Sequence, residues 1–437
     1  MTIDSTAIES IRAIAEGATE SDLVRYRGIR TWTEHIVSPL AVEDTVVQTM
    51  PDVSPTKWHL AHTSWFFETF LLTPHLTGYR SPQPIFESLF NSYYNSVGAQ
   101  FSRPERGLLS RPTLAEVLEY RRVIDVGIAQ LIERGLLDNS ACRAIFELGM
   151  RHEQQHQELM VTDLKHVLSQ NLVEPIYRER ADAPNSLVSP LEWIAFPEQV
   201  CEIGFDKSGD AEESPFSFDN EGPRHRVLVG DFELATRPVT AGEYLAFIDD
   251  GGYRTHSLWL SEGWARVRDL GWQAPLYWRE DDGAWTQFTL SGRRPIDRSE
   301  PVTHLSYFEA DAFARWAGAR LPTEFEWEVA AEDVPVEGRF AESNRFHPGP
   351  APAGAVGLTQ MYGDVWQWTQ SAYGPYPGYA PAEGALGEYN GKFMSGQMVL
   401  RGGSIATPAG HVRPTYRNFW HPPTRFQFSG VRLARKR

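Results

Sequence analysis

Two histidines four residues apart, His152 and His156, sit in the segment Arg151-His152-Glu153-Gln154-Gln155-His156-Gln157-Glu158. On a helix this spacing puts both imidazoles on one face, where they can reach one metal ion. A pair of solvated side chains on a polar face is the plainer reading. The same letters match H-E-x-x-H, the zinc hydrolase pattern, with Glu153 as general base. That chemistry needs a third ligand downstream, and the nearest histidine, His166, follows a stretch with no glycine turn to swing it back. An upstream residue serves better. His62 has Trp58, Trp65 and Phe66 at i−4, i+3 and i+4, so it faces an apolar stripe where an imidazole needs a partner. His59, placed by Pro55 and Thr63 at the edge of that stripe, is the alternative. Three neutral imidazoles with open coordination positions suit Zn or Fe(II). Glu158 could orient one of them by a hydrogen bond.

Three other stretches carry candidate chemistry. Phe90-Asn91-Ser92-Tyr93-Tyr94-Asn95 offers phenols that can give a proton to a metal-bound oxygen, or merely pin a loop. Arg103, Arg106 and Arg111 follow, and arginines three apart can clamp a carboxylate or form structural ion pairs. Near the end, Arg413 to His421 packs Asn418, Phe419 and Trp420 together. An amide with aromatic walls suits a cationic head group, and core packing is the competing role.

These residues need elements to hold them. Apolar residues at three- and four-residue spacing predict helices over Ser21–Glu34, Thr56–Leu72, Thr113–Leu136 and Cys142–Leu168, a four-helix bundle. A long stretch from Ser81 to Arg111, broken by Pro and Gly, separates the second and third, and long ordered loops are often functional. Beyond about residue 185, Gly, Pro and Trp dominate and helical periodicity is rare. Short strands are expected at His225–Val229, Gln397–Arg401 and Gly430–Ala434, and helices at Ala241–Asp249 and Tyr307–Ala317. The expected fold class is α plus α+β, with a helical domain over 1–185 and an irregular, turn-rich domain over 186–437.

The chain has 437 residues, 41% hydrophobic and 22% charged, an ordinary globular balance. Its net charge of -16 disfavours nucleic acid and anionic membranes as partners. No apolar run approaches a membrane span, and Met1 to Glu20 lacks the pattern of a signal peptide. Cys142 and Cys201 are far apart, so a reducing, cytoplasmic location is expected. The 14 Trp fit either packing anchors in a loop-rich fold or walls around a cation.

With WHLAHT, RHEQQHQE and the C-terminal pieces RPVTAGEYLAFIDDGGY, PVTHLSYFEADAFARWAGARLPTEFEWEVAA, GDVWQWTQS, VLRGGS and TYRNFWHPPTRFQFSGVRLAR in view, the sequence resembles the ergothioneine-synthesising sulfoxide synthases (the EgtB family). The matches run from about residue 20 to the end. The resemblance implies a DinB-like four-helix bundle joined to a C-type-lectin-like domain shared with formylglycine-generating enzyme. It implies Fe(II) on His62, His152 and His156, with O2 as co-substrate. The implied reaction joins Nα-trimethylhistidine (hercynine) to cysteine, forming a C–S bond and oxidising the sulfur. By the same resemblance, Gln155, Asn418 and Phe419 hold the trimethylhistidine, and Tyr94 with Tyr93 supplies a proton, Tyr379 being the reserve. Arg103 and Arg106 meet the carboxylate of the thiol substrate. Trp420 stands where the γ-glutamylcysteine branch has an acidic residue, which points to the cysteine branch. Related synthases using γ-glutamylcysteine, plain histidine or a selenium sugar are the sibling readings. A zinc hydrolase using HEQQH and a binding module with a structural metal are readings of other classes. No cysteine follows Cys201, so the thiol ligands that sulfatase activation requires are missing.

Overall fold

The computed structural model describes residues 21–180, 190–207 and 216–437. The segment read for a signal peptide and the expected domain boundary at 185/186 lie outside the described residues.

Four long helices carry the first part of the chain. Helix α1 (Asp22–Val37) opens on Ser21, whose side chain accepts from the Val24 N–H. Helix α2 (Thr56–Phe67) runs into a π-helical turn at Glu68–Leu72. Helix α3 (Leu114–Glu133) begins with a reciprocal Thr113/Glu116 capping box. Helix α4 (Ser140–Ser169) begins at Asn139, whose side chain accepts from the N–H groups of Ala141 and Cys142. These caps satisfy donors that a first helical turn leaves unpaired. The stretch from 81 to 111 is less irregular than expected: it holds a short helix, Phe86–Phe90, and a 3-10 turn, Arg103–Leu108.

Helix α2 is the centre of this unit, and all 12 of its residues are buried. Two glycines let its neighbours come close. A Cβ on Gly127 of α3 would lie 2.7 Å from Leu72 Cδ1, and one on Gly149 of α4 would lie 2.5 Å from Phe67 Cε1. Gly149 is about one turn before His152, so this tight contact with Phe67 lies next to the part of α4 that carries the histidines.

The rest of the chain builds short strands around turns. Strands β1 (Trp193–Phe196), β4 (Phe232–Ala235) and β14 (Ala434–Lys436) form one antiparallel sheet in the order β1-β4-β14. Strands β10 (Trp366–Ala372), β11 (Met398–Arg401), β12 (Asn418–Trp420) and β13 (Ser429–Gly430) form a second, ordered β12-β11-β10-β13. Helices at Ala241–Asp249, Tyr307–Trp316 and Glu324–Ala331 each begin with a Thr or Ser capping box. Buried polar bonds take the place of a large apolar sheet. Arg432 donates to Gln367 and to the carbonyls of Ala235, Thr359 and Gln360.

The chain divides into two compact units. The first runs to Tyr177 and includes Ala382–Tyr389 and Pro408–His411; the second comprises Arg178–Pro381, Asn390–Thr407 and Val412–Arg437. The two short later segments belong with the helices and not with the strands that flank them in sequence. Among the described residues no helix is long and apolar enough to cross a membrane.

Candidate metal centre

Helix periodicity brings His152 and His156 to one face of α4, and that face meets His62 of α2. The ligand-capable atoms of His62, His152 and His156 all lie within 4.8 Å of one another, and all three residues are buried. His62 donates from Nδ1 to the Phe90 carbonyl at 2.6 Å, which leaves its Nε2 a bare lone pair. That Nε2 faces the His152 Nε2 at 3.2 Å. The His152 Nδ1 is buried with no partner among the described residues. His156 turns its Nδ1 to the Nδ1 of His59 at 2.7 Å, and His59 Nε2 meets Asp163 Oδ2 at 3.0 Å. Burial pushes His152 down to about 3 and holds His62 and His156 well below the usual imidazole range. Neutral imidazoles with converging lone pairs are the protonation state that a metal requires. The donor set therefore fits a divalent transition metal.

The walls are aromatic. His62 is stacked between Trp58, at 4.5 Å and 15°, and Trp65, at 5.4 Å and 16°. The Arg106 guanidinium lies over the Trp58 ring, 3.4 Å from its centre. Phe66 lies against His152 with ring centres 4.7 Å apart.

Glu153 does not face this centre. It is fully buried and accepts from Arg30 Nη1 at 2.8 Å, Arg121 Nη2 at 2.9 Å and the Thr33 hydroxyl at 2.7 Å. Despite its burial, which raises it, the two guanidinium groups and the bonds from Arg30 and Thr33 hold its carboxyl down at about 2. Consecutive helix residues point about 100° apart, so a glutamate next to a ligand can serve a different face. This corrects the hydrolase reading of HEQQH: Glu153 is committed to two arginines and is not a base aimed at metal-bound water.

The loop tyrosines are close by. Tyr94 is fully buried, with its ring against Trp65 at 5.6 Å and Phe66 at 6.4 Å. Tyr93 stacks on it at 4.6 Å, and their hydroxyls are 3.5 Å apart. Burial pushes the Tyr94 phenol well up, and the hydroxyls of Tyr93 and Tyr389 add to this. Tyr389 is a residue that sequence reasoning missed. Its hydroxyl donates to Gln155 Oε1, and its ring meets His152 edge-on at 5.8 Å. The neighbouring Glu388 accepts from the backbone N–H groups of Asn95 and Ser96 at 3.0 and 2.9 Å. Nothing in the stretch around Tyr389 marks it locally. Tyr379, the reserve candidate, belongs to the second unit and donates to Asp219 at 2.8 Å.

Arg106 is buried and donates from Nη1 to Ser54 Oγ at 2.9 Å, while its Nε and Nη2 have no partner among the described residues. Burial, with Arg103 nearby, pulls it down to about 9. Arg103 is exposed and donates to the Asp52 carbonyl at 2.7 Å. In the second unit, Asn418, Phe419 and Trp420 form β12 and pair with β11. Phe419 stacks on Tyr373 at 4.0 Å and 13°. Asn418 Oδ1 accepts from the Phe419 N–H at 2.8 Å. The first unit thus brings together the three histidines, the tyrosine pair, Gln155 and Arg106, whereas the Asn418–Trp420 group is built by the second.

His59 was expected at the edge of an apolar stripe. It is 2% exposed, and the whole of α2 is enclosed, so the stripe could not separate His59 from His62. Their partners differ: His59 bonds His156 and Asp163, whereas His62 turns its Nε2 to the Nε2 of His152.

The second part of the chain, over residues 200–353 and 341–437, matches the sulfatase-modifying factor enzyme 1-like domain. The fold is therefore a helical bundle followed by a strand-rich domain of the formylglycine-generating-enzyme type, as expected. The chain is 35% identical over 415 residues to the hercynine oxygenase of Mycolicibacterium thermoresistibile, covering 88% of each. It is 36% identical over 411 residues to that of Mycobacterium tuberculosis, covering 88% of this chain and 91% of the relative. Ergothioneine biosynthesis protein 1 of Schizosaccharomyces pombe is 29% identical over 233 residues, 50% of this chain and 28% of the fungal one. The chain belongs to the hercynine oxygenase family.

Proposed function

We propose that this chain joins hercynine to cysteine in an Fe(II)- and O2-dependent reaction that forms a C–S bond and oxidises the sulfur. Family membership makes it an oxidoreductase, a sulfoxide synthase of ergothioneine biosynthesis. The observation that carries the finer reading is the meeting of three buried, neutral imidazoles in a chain that matches hercynine oxygenases over 88% of its length.

In this reading His62, His152 and His156 hold the iron, which when bound supplies O2 activation next to both substrates. The residues do the rest. Gln155 in the first unit is assigned to the trimethylhistidine, as are Asn418 and Phe419 in the second, with Trp420 following them in the same strand. Arg106, with unpaired buried donors, takes the thiol substrate's carboxylate, and Arg103 adds charge. Cysteine is preferred over γ-glutamylcysteine because Trp420 offers no anion for a second ammonium. Tyr94, kept neutral by burial, holds a transferable proton, with Tyr93 behind it. Tyr389 is a further phenol at Gln155. In this reading residues 1–185 are a DinB-like bundle with the metal site and 186–437 a formylglycine-generating-enzyme-like, C-type-lectin-like domain. A cytoplasmic location, with small-molecule partners and neither nucleic acid nor membrane, fits the acidic charge and the two free cysteines.

The test is anaerobic reconstitution with Fe(II), followed by O2 uptake and mass spectrometry with trimethylhistidine and cysteine. A sulfoxide conjugate is expected. Uptake without conjugate, or none at all, overturns the proposal, and a better rate with γ-glutamylcysteine overturns the choice of thiol.

A further inference from the structure

The geometry points to His59 and Asp163 as a pair of positioning residues that set the tautomer of His156. The inference rests on the proposed three-histidine iron site and adds residues to it. Asp163 is a carboxylate in a buried setting. Its Oδ2 accepts from the Ser54 N–H at 2.8 Å and lies 3.0 Å from His59 Nε2. A carboxylate can only accept, so His59 carries its proton on Nε2. Its Nδ1 is then a lone pair. That lone pair faces the His156 Nδ1 at 2.7 Å, so His156 must donate from Nδ1. The His156 Nε2 is left unprotonated, with its lone pair available to the metal.

The chain Asp163–His59–His156 therefore does for one ligand what the Phe90 carbonyl does for His62. In His62 and His156 the outer nitrogen is bonded so that the inner nitrogen is bare, a pattern that raises ligand basicity and fixes ring orientation. Here the acceptor is a second imidazole, and the carboxylate acts one residue removed. Ser54 fixes the pair to the loop arginine as well: its N–H holds Asp163, and its Oγ accepts from Arg106 at 2.9 Å.

The test reads tautomers and metal affinity. In metal-free wild-type protein with 15N-labelled histidine, long-range 1H–15N spectra should show His59 protonated at Nε2 and His156 at Nδ1. The opposite assignment for either ring overturns the inference, with no variant required. Anaerobic Fe(II) titration against a competing chelator supplies the second readout. His59→Phe keeps a ring and removes the acceptor. It should weaken Fe(II) binding by about 10- to 100-fold and release His156 from the Nδ1–H form. His59→Gln, whose amide oxygen can accept, should recover part of the affinity. Equal affinity in wild type and His59→Phe, with His156 unchanged, rejects the positioning role. Wild-type protein that binds no Fe(II) rejects the iron site itself, a separate result.

Discussion

The helical unit and the strand-rich unit both bury arginine–carboxylate clusters, but at different places relative to their candidate chemistry. In the helical unit, Glu153 on α4 ties together Arg30 of α1 and Arg121 of α3. The cluster sits on a different face of α4 from the histidines. One helix carries charge on one face and neutral imidazoles on the next, separated by a backbone turn of about 100° per residue. In the strand-rich unit, Glu324 joins Arg401 and Arg417, with the Tyr376 hydroxyl as an extra donor. Arg417 directly precedes Asn418, at the start of β12. There the ion pair and the proposed ligand-binding group share one segment. The contrast is instructive. A helix can separate stability from chemistry by angle, whereas a short strand in a loop-rich fold relies on the ion pair to hold its shape.

The most damaging change to this contrast is Glu153→Ala. It strands two buried guanidinium groups and should cost about 3–5 kcal/mol, read by chemical denaturation. Glu324→Ala should cost a similar amount for the same reason. If Glu153→Ala instead folded normally and lost only activity, the carboxylate would be a catalytic base after all.

Acid is the next probe. Burial holds the folded His152 at about 3, against about 6.5 for a free imidazole. Between those values the unfolded chain binds a proton that the folded chain refuses. Stability from this source is complete above about pH 6.5 and falls as the pH drops toward 3. His62 and His156 act in the same direction. Urea midpoints of the metal-free protein should therefore be lower at pH 5 than at pH 7.5, and added Fe(II) should raise both.

Gly149→Val tests the approach of α4 to α2. Its added atoms meet the Phe67 ring, at a stability cost of roughly 1–3 kcal/mol. Weaker Fe(II) binding should accompany the loss, because the histidines lie one turn further along α4. A folded variant with undiminished affinity would show that the helix spacing does not govern the centre.

The smallest effect on stability is expected from the tyrosines, where the readout is the product. Tyr94→Phe should shift the balance from C–S coupling toward simple thiol oxidation. Tyr389→Phe, measured in parallel by mass spectrometry, decides whether the phenol on Gln155 shares this role. An unchanged ratio in Tyr94→Phe moves the assignment to Tyr389.

Much of this was legible before any coordinates. The four helices follow from apolar spacing, and their ends moved by only a few residues because Ser21, Thr113 and Asn139 are strong caps. The His152/His156 pair follows from the same periodicity. The preference for His62 over His59 rested on a stripe argument that does not hold, since no face of α2 meets water. Tyr389 and Glu388 lay beyond reach, because they bond Gln155, Asn95 and Ser96, more than 200 residues earlier in the chain. The two-residue strands at Gly338–Arg339 and Tyr362–Gly363 are too short for any alternation to show.

Local pattern was enough to establish the bundle, the turn-rich second half and a pair of imidazoles on one helix face, because helical periodicity and turn preference act over a few residues. It could not establish which way each ring points its lone pair, where Glu153 spends its charge, or which phenols gather at Gln155. Those outcomes depend on acceptors and cations supplied by distant segments, namely Phe90, Asp163, Arg30 and Arg121. A buried proton goes where its partner lies, and only the folded chain supplies the partner.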